Sequence, residues 1–177
     1  MILDILKYYF FILFMKKNAK TARILFNTCI ISKKKKAHIL SKVGVKISSR
    51  STITEPFYFE KGNIYLNGKV FINANCVFLD AEMISIGNNT AIGPNVVITT
   101  VTHHVDPNRR PNETICAPIN IGENVWIGAN TTILPGVSIG DNCVIAANSL
   151  VTTDVPSDTL YAGSPASFKR YINNIKK

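Results

Sequence analysis

Residues Ile121 to Val155 read IGENVWIGANTTILPGVSIGDNCVIAANSLVTTDV, and the rhythm of this stretch is six. Ile121, Ile127, Ile133, Ile139, Ile145 and Val151 place a branched aliphatic at every sixth position. The residue after each is Gly122, Gly128, Leu134, Gly140, Ala146 or Thr152, mostly small. Four positions after each stand Val125, Thr131, Val137, Cys143, Ser149 and Val155. Ile, Leu, Val and Phe make up about a third of the chain, so six consecutive hits in one register arise by chance roughly once in a thousand trials. A helix repeats every ~3.6 residues and a strand every ~2, and neither explains sustained small residues every six. A three-sided coil does. Each hexad is a short strand plus a corner, with the aliphatic pointing into the prism and Gly or Asn at the corner accepting positive φ.

The register extends upstream with small slips, through Ile47, Ile53 and Phe59, then Leu66, Ile72 and Phe78, then Ile86, Ile92 and Ile98. Fifteen hexads make five turns of three. Stacked at ~4.8 Å, they build a column of roughly 24 Å in which no turn buries its aliphatics alone. The expected fold is an all-β solenoid, a left-handed parallel β-helix of about five three-strand coils, with a protruding loop and a preceding N-terminal helix. Two breaks in the rhythm stand out. Phe78 to Ile86 is a spacing of eight, around Leu79-Asp80-Ala81-Glu82, and Ile98 to Ile121 is a spacing of twenty-three. Since Ile98 opens a hexad ending at His103, residues 104–120 are expected to leave the column as a loop, the kind of excursion that carries function on rigid scaffolds. The expected organisation is an N-terminal helical arm over 1–42, the β-helix over 43–156 and a tail over 157–177.

The net charge of +9 over 177 residues is concentrated in the arm. Residues 1–50 hold twelve basic and one acidic side chain; the remainder holds eight basic and ten acidic. This pattern argues against a nucleic-acid binder and for a basic, apolar arm on a nearly neutral domain. MILDILKYYFFILFM (Met1–Met15) covers roughly 22 Å as a helix, short of the ~30 Å hydrocarbon slab. Lys16, Lys17, Lys20 and Arg23 follow, then ILFNTCII and Lys33–Lys36. A secretory signal fits poorly, because the opening residues are not basic and no small-x-small site follows. Apolar runs between lysine clusters suit a helix lying in the headgroup layer, a peripheral membrane contact. The alternatives are a helix packed on the domain or on a sister subunit, and a true span. Cys29, Cys76, Cys116 and Cys143 contain no CxxC pair and read as buried fillers in a reducing compartment.

Asn73–Asp80 (NANCVFLD), Ile84–Ile98 (ISIGNNTAIGPNVVI), Thr100–Arg110 (TVTHHVDPNRR), Pro118–Val151 and Thr152–Ala166 (TTDVPSDTLYAGSPA) together resemble the hexapeptide-repeat acyltransferases, specifically the maltose/galactoside-type sugar O-acetyltransferases. The resemblance implies an acetyl-CoA-dependent enzyme with no metal, working as a homotrimer with its coenzyme cleft between adjacent prisms. It implies His103 as the general base. Asn73 and Asp80 would line the acceptor pocket, with Trp126 flanking the site near the acetyl group. Ala129 and Ala147 would contact the pantetheine arm, Thr152 and Thr153 the coenzyme farther along, and Arg170 its phosphates. The chain departs from the family pattern at His104, where a proline usually stands, at Thr153 and Ser167, where basic residues are usual, and in the arm, which takes the place of the family's N-terminal motif.

The implied chemistry moves a thioester acetyl to a hydroxyl, which needs a base for the hydroxyl proton and a donor for the tetrahedral oxyanion. The expected acceptor is a sugar, of a cell-surface polysaccharide or its precursor, and the expected location is the cytoplasm, at the inner face of the membrane. Xenobiotic (antibiotic) acetylation and a non-catalytic β-helix assembly module are the alternatives. A zinc carbonic anhydrase on the same fold would need three imidazoles, and only His103 and His104 lie near the site. His104 is open between an exposed position and acceptor binding. His38, beside Lys33–Lys36, reads as solvated, and Asp106 as a partner for Arg109 or Arg110.

Overall fold

In the computed structural model, residues 2–172 are described. Three helices open the chain: α1 (Ile2–Phe14), α2 (Ala19–Thr28) and α3 (Lys33–Ser41). The breaks between them follow from capping residues. The Asn18 side chain accepts from the Thr21 N–H at 2.9 Å to start α2, and Ser32 accepts from the Lys35 N–H at 3.4 Å to start α3.

The solenoid follows, and its strands stack into three faces of a prism. Face one carries β1 (Lys46–Ile47), β4 (Ile64–Leu66), β7 (Ile84–Ile86), β12 (Ile119–Ile121) and β15 (Ser138–Ile139). Face two carries β2 (Thr52–Ile53), β5 (Phe71–Ile72), β8 (Ala91–Ile92), β13 (Trp126–Ile127), β16 (Val144–Ile145) and β18 (Thr159–Ala162). Face three carries β3 (Phe57–Phe59), β6 (Cys76–Leu79), β9 (Val97–Thr99), β14 (Thr132–Ile133) and β17 (Leu150–Val151). Neighbours within each of these stacks are parallel, and the register pairs like hexad positions: Ile53 with Ile72, Ile72 with Ile92, Ile92 with Ile127, Ile127 with Ile145. Five full coils are complete, and Val155 bridging Ile139 together with β18 begins a sixth. The expected solenoid is therefore present.

The hexad aliphatics form the core, with large rings in the first coils (Phe57, Phe59, Phe78) and isoleucines above. The corners divide their labour in a way the hexad alone does not show. In Gly-x-Asn corners the asparagine takes positive φ, as at Asn89, Asn124, Asn130 and Asn142. Gly87 does not; a Cβ there would lie 2.5 Å from the carbonyl of Gly122 one coil above, so the glycine is required by close approach of backbones.

The arm is built into the domain as a cap. β3 is an edge strand of face three, and the Asn27 side chain completes its pairing, donating to the Phe57 C=O at 3.0 Å and accepting from the Phe57 N–H at 2.9 Å. Arg23 donates to the Phe59 C=O and lays its guanidinium 4.3 Å over the Tyr58 ring. Phe26 packs edge-on against Phe57, and Lys36 pairs with Glu55. His38 is not a solvated arm residue: its Nδ1 lies 2.7 Å from the Tyr8 hydroxyl, tying α1 to α3. At the other end the tail carries strands: β19 (Ser167–Tyr171) folds back antiparallel on β18. Residues 173–177 lie outside the described residues.

Candidate active site

The excursion from the column is a β-hairpin, and it starts earlier than the hexad count implies. β9 ends at Thr99, and Val101–His103 (β10) pairs antiparallel with Thr114–Cys116 (β11). Thr100, fully buried, fixes the root. Its hydroxyl donates to the Leu79 C=O at 2.8 Å and accepts from the Glu82 N–H at 2.9 Å, and its carbonyl accepts from the Ala117 N–H at 2.9 Å. His103 ends β10 opposite Thr114 and is exposed, three residues from the buried, hydrogen-bonded Thr100. At the hairpin tip the ion pair is Arg109 with Glu113 (2.5 Å), not with Asp106. Arg110 donates instead to the carbonyls of His104 (3.2 Å) and Val105 (2.7 Å), and His104 Nδ1 accepts from the Asp106 N–H at 3.3 Å. These contacts brace the tip; the exposed ion pair itself adds little stability.

A second group of residues gathers at the corner between faces two and three. Asn73 follows β5, Ala129 follows β13 and Ala147 follows β16, and the ladder stacks them: Asn73 N–H to the Ile92 C=O, Gly128 N–H to the Ile145 C=O, Asn148 N–H to the Ala129 C=O. The Asn130 amide donates to Asn148 Oδ1 at 3.1 Å along the same corner. Trp126 stands one strand before it on face two, 60% exposed, so it covers no core. Below it in the same outward column come Ala91 and Phe71, and Phe71 is half-exposed. The two aromatic positions are two coil steps apart along the face, roughly 10 Å, with the small Ala91 between them. Phe71 and Ala91 were legible, since Phe71, like Trp126, directly precedes an inward isoleucine.

Thr152 and Thr153 lie on the opposite edge of face three, at the corner with face one, the edge from which the hairpin springs. Arg170 is exposed on β19. The strand order thus brings Asn73, Trp126, Ala129 and Ala147 to one edge of face three and leaves Thr152, Thr153 and the root of the His103 hairpin at the other. Three or four extended residues, the width of that face, span roughly 10–13 Å.

Asp80 does not line an acceptor pocket. It is completely buried, and its carboxylate accepts four backbone N–H bonds, from Glu60 (2.6 Å) and Lys61 (3.1 Å) on Oδ1 and from Gly62 (2.6 Å) and Asn63 (2.7 Å) on Oδ2. The carboxylate holds the turn of the coil below, and no oxygen is left for a substrate. Burial pushes the Cys76 thiol up, in keeping with an inert filler, whereas Cys116 on β11 is exposed. Among the described residues no group of three or more His, Cys, Asp or Glu converges to hold a metal ion.

Residues 118–153 match the family model described as bacterial transferase hexapeptide (six repeats). The galactoside O-acetyltransferase of Lactococcus lactis is 37% identical over 150 residues, spanning 83% of this chain and 72% of the relative. The chain belongs to the hexapeptide-repeat O-acetyltransferases of the galactoside/maltose type. A hexapeptide-repeat acetyltransferase from Vibrio cholerae, solved in complex with acetyl coenzyme A, superposes on this acetyltransferase with a TM-score of 0.85 at 37% identity, covering 88% of this chain and 86% of that one. A maltose O-acetyltransferase from Clostridium difficile superposes with a TM-score of 0.84 at 32% identity over 97% of this chain and 89% of its own. That alignment takes in nearly the whole of this chain.

Proposed function

We propose that this acetyltransferase moves the acetyl group of acetyl-CoA to a sugar hydroxyl, of a cell-surface polysaccharide or its precursor, in the cytoplasm, with His103 as general base. The observation that carries the reading is the exposed imidazole held on an anchored hairpin, one face-width from a corner of small residues beside Trp126. Within one chain the hairpin's root and that corner stand on opposite edges of face three. A cyclic trimer brings the two together by laying the hairpin of one subunit against the corner of the next. The thioester then runs past Ala129 and Ala147, where side chains are minimal, and the acceptor sugar sits by Asn73 and the exposed ring of Trp126. Thr152, Thr153 and Arg170 would contact the coenzyme farther out.

The steps balance without an acyl-enzyme. The sugar oxygen attacks the thioester carbonyl while neutral His103 takes the hydroxyl proton. The tetrahedral oxyanion accepts a hydrogen bond from a backbone N–H at the Ala129 corner. The C–S bond breaks, and the imidazolium returns the proton to the coenzyme thiolate. The test is release of coenzyme thiol from acetyl-CoA with galactosides, maltose and oligosaccharides, on a Cys116→Ser background so that the exposed thiol does not contribute. Sugar-dependent release is expected for the parent. His103→Ala is expected to lower it by ~10²–10⁴-fold with the fold intact. Release that ignores every sugar, or survives the substitution, overturns the reading.

A further inference from the structure

Helix α1 has two unlike sides. Tyr8 and Phe11 are buried against the cap, while Leu3, Leu6, Tyr9, Phe10, Leu13 and Phe14 are 49–74% exposed. With Lys7 they line a shallow groove of about 430 Å³. Six such side chains present roughly 700 Å² of contiguous apolar surface, above the ~300–600 Å² of the largest patch on a typical monomer. The surroundings of this patch are basic. Lys16, Lys17 and Lys20 follow the helix, and Lys33 and Lys34 are exposed on α3. Lys35 places its ammonium 5.3 Å from the Tyr9 ring centroid, at the edge of the patch. Asp4 is the one acid in residues 1–50, and it lies 3.6 Å from Lys7.

We infer that this face docks α1 flat on an anionic lipid bilayer, the rings and leucines entering the headgroup boundary and the lysines meeting lipid phosphates. Thirteen residues span about 20 Å, short of the ~30 Å of hydrocarbon. No helix among the described residues is long and apolar enough to cross a membrane. A second copy is a poorer occupant. Joining two such faces about a twofold axis opposes like lysine clusters, and the arm offers no acidic patch to answer them. The inference rests on the arm alone and stands apart from the catalytic reading. It places the enzyme where a lipid-carried acceptor would be presented.

The test is flotation of the purified full chain with vesicles of phosphatidylcholine alone and of phosphatidylcholine with phosphatidylglycerol, beside the oligomeric state by light scattering. The chain is expected to float with the anionic vesicles only, and less as salt rises. Leu6→Glu/Phe10→Glu is expected to weaken binding by at least about tenfold, and Lys16→Gln/Lys17→Gln by roughly fivefold per lysine, with the oligomer and the activity on a soluble sugar unchanged. Absence of flotation, flotation indifferent to lipid charge, or flotation surviving both variants overturns the inference. Dissociation of the oligomer by Leu6→Glu/Phe10→Glu does so too, because it would make this face a subunit contact.

Discussion

Replacing Asp80 by Asn separates two roles that a carboxylate at this place in the chain can have. In the structure each carboxylate oxygen accepts two backbone N–H bonds from the turn at residues 60–63, and the group is inaccessible. Asn keeps the shape but turns one oxygen into an NH2. Whichever way the amide is placed, two N–H donors then face another donor. A buried donor left without its acceptor costs about 1–3 kcal/mol, and here the bonds lost were to a charge. The expected loss is about 3 kcal/mol for Asp80→Asn, and about 4 kcal/mol for Asp80→Ala, where the three half-exposed donors recover water but Gly62 cannot. For a chain of this size 1 kcal/mol moves Tm by about 2–4 °C, so Asp80→Asn should melt roughly 6–12 °C below the parent. The assay is a thermal scan at fixed rate and protein concentration, paired with activity measured well below the transition. A Tm within about 2 °C of the parent, with activity lost, would refute the staple and return Asp80 to the substrate.

Other outcomes follow from the same geometry. Of the four cysteines, Cys116 alone should react quickly with a thiol reagent in the native state, and a bulky adduct there should depress activity because β11 carries the strand opposite His103; mass spectrometry of the labelled peptide checks both. Gly128→Ala puts a Cβ 2.4 Å from the Ala147 nitrogen, so it should destabilise the corner by several kcal/mol, about as much as strongly overpacked cores lose, read as a lowered denaturation midpoint. Trp126→Ala, on an exposed face, should leave the melting curve in place and raise KM for the sugar several-fold; a large fall in Tm would make the ring structural instead.

The column was legible because its signal is periodic and every coil repeats it. Ile121 through Val151 set the register, and the strands pair hexad to hexad as that register requires. The corners were half legible: small residues mark them, but whether Gly87 is there for its φ or for the carbonyl of Gly122 depends on the neighbouring coil. The start of the hairpin was missed because Val101 and Thr102 continue a strand-like pattern, and only the buried hydroxyl of Thr100 shows that the chain has already turned outward. Asp80 was misplaced for a related reason. Its partners lie 17–20 residues earlier, one coil below, and the eight-residue spacing around it marks an irregular turn without saying which backbone it holds. In the arm, the capping residues Asn18 and Ser32 were present to read, while the strand-like pairing of Asn27 with Phe57 is visible only once β3 is known to be an edge.

Subunit complementation tests most directly whether the hairpin of one chain completes the corner of another. The His103→Ala and Ala147→Trp proteins, each expected to be inactive alone, are unfolded together in equal amounts and reassembled. If every site takes its imidazole from one subunit and its small-residue corner from the next, random assembly leaves about a quarter of the sites intact, and about a quarter of parental activity should return. If both elements of a site belong to a single chain, every site carries one lesion whatever the mixture, and activity that stays at background would contradict the account.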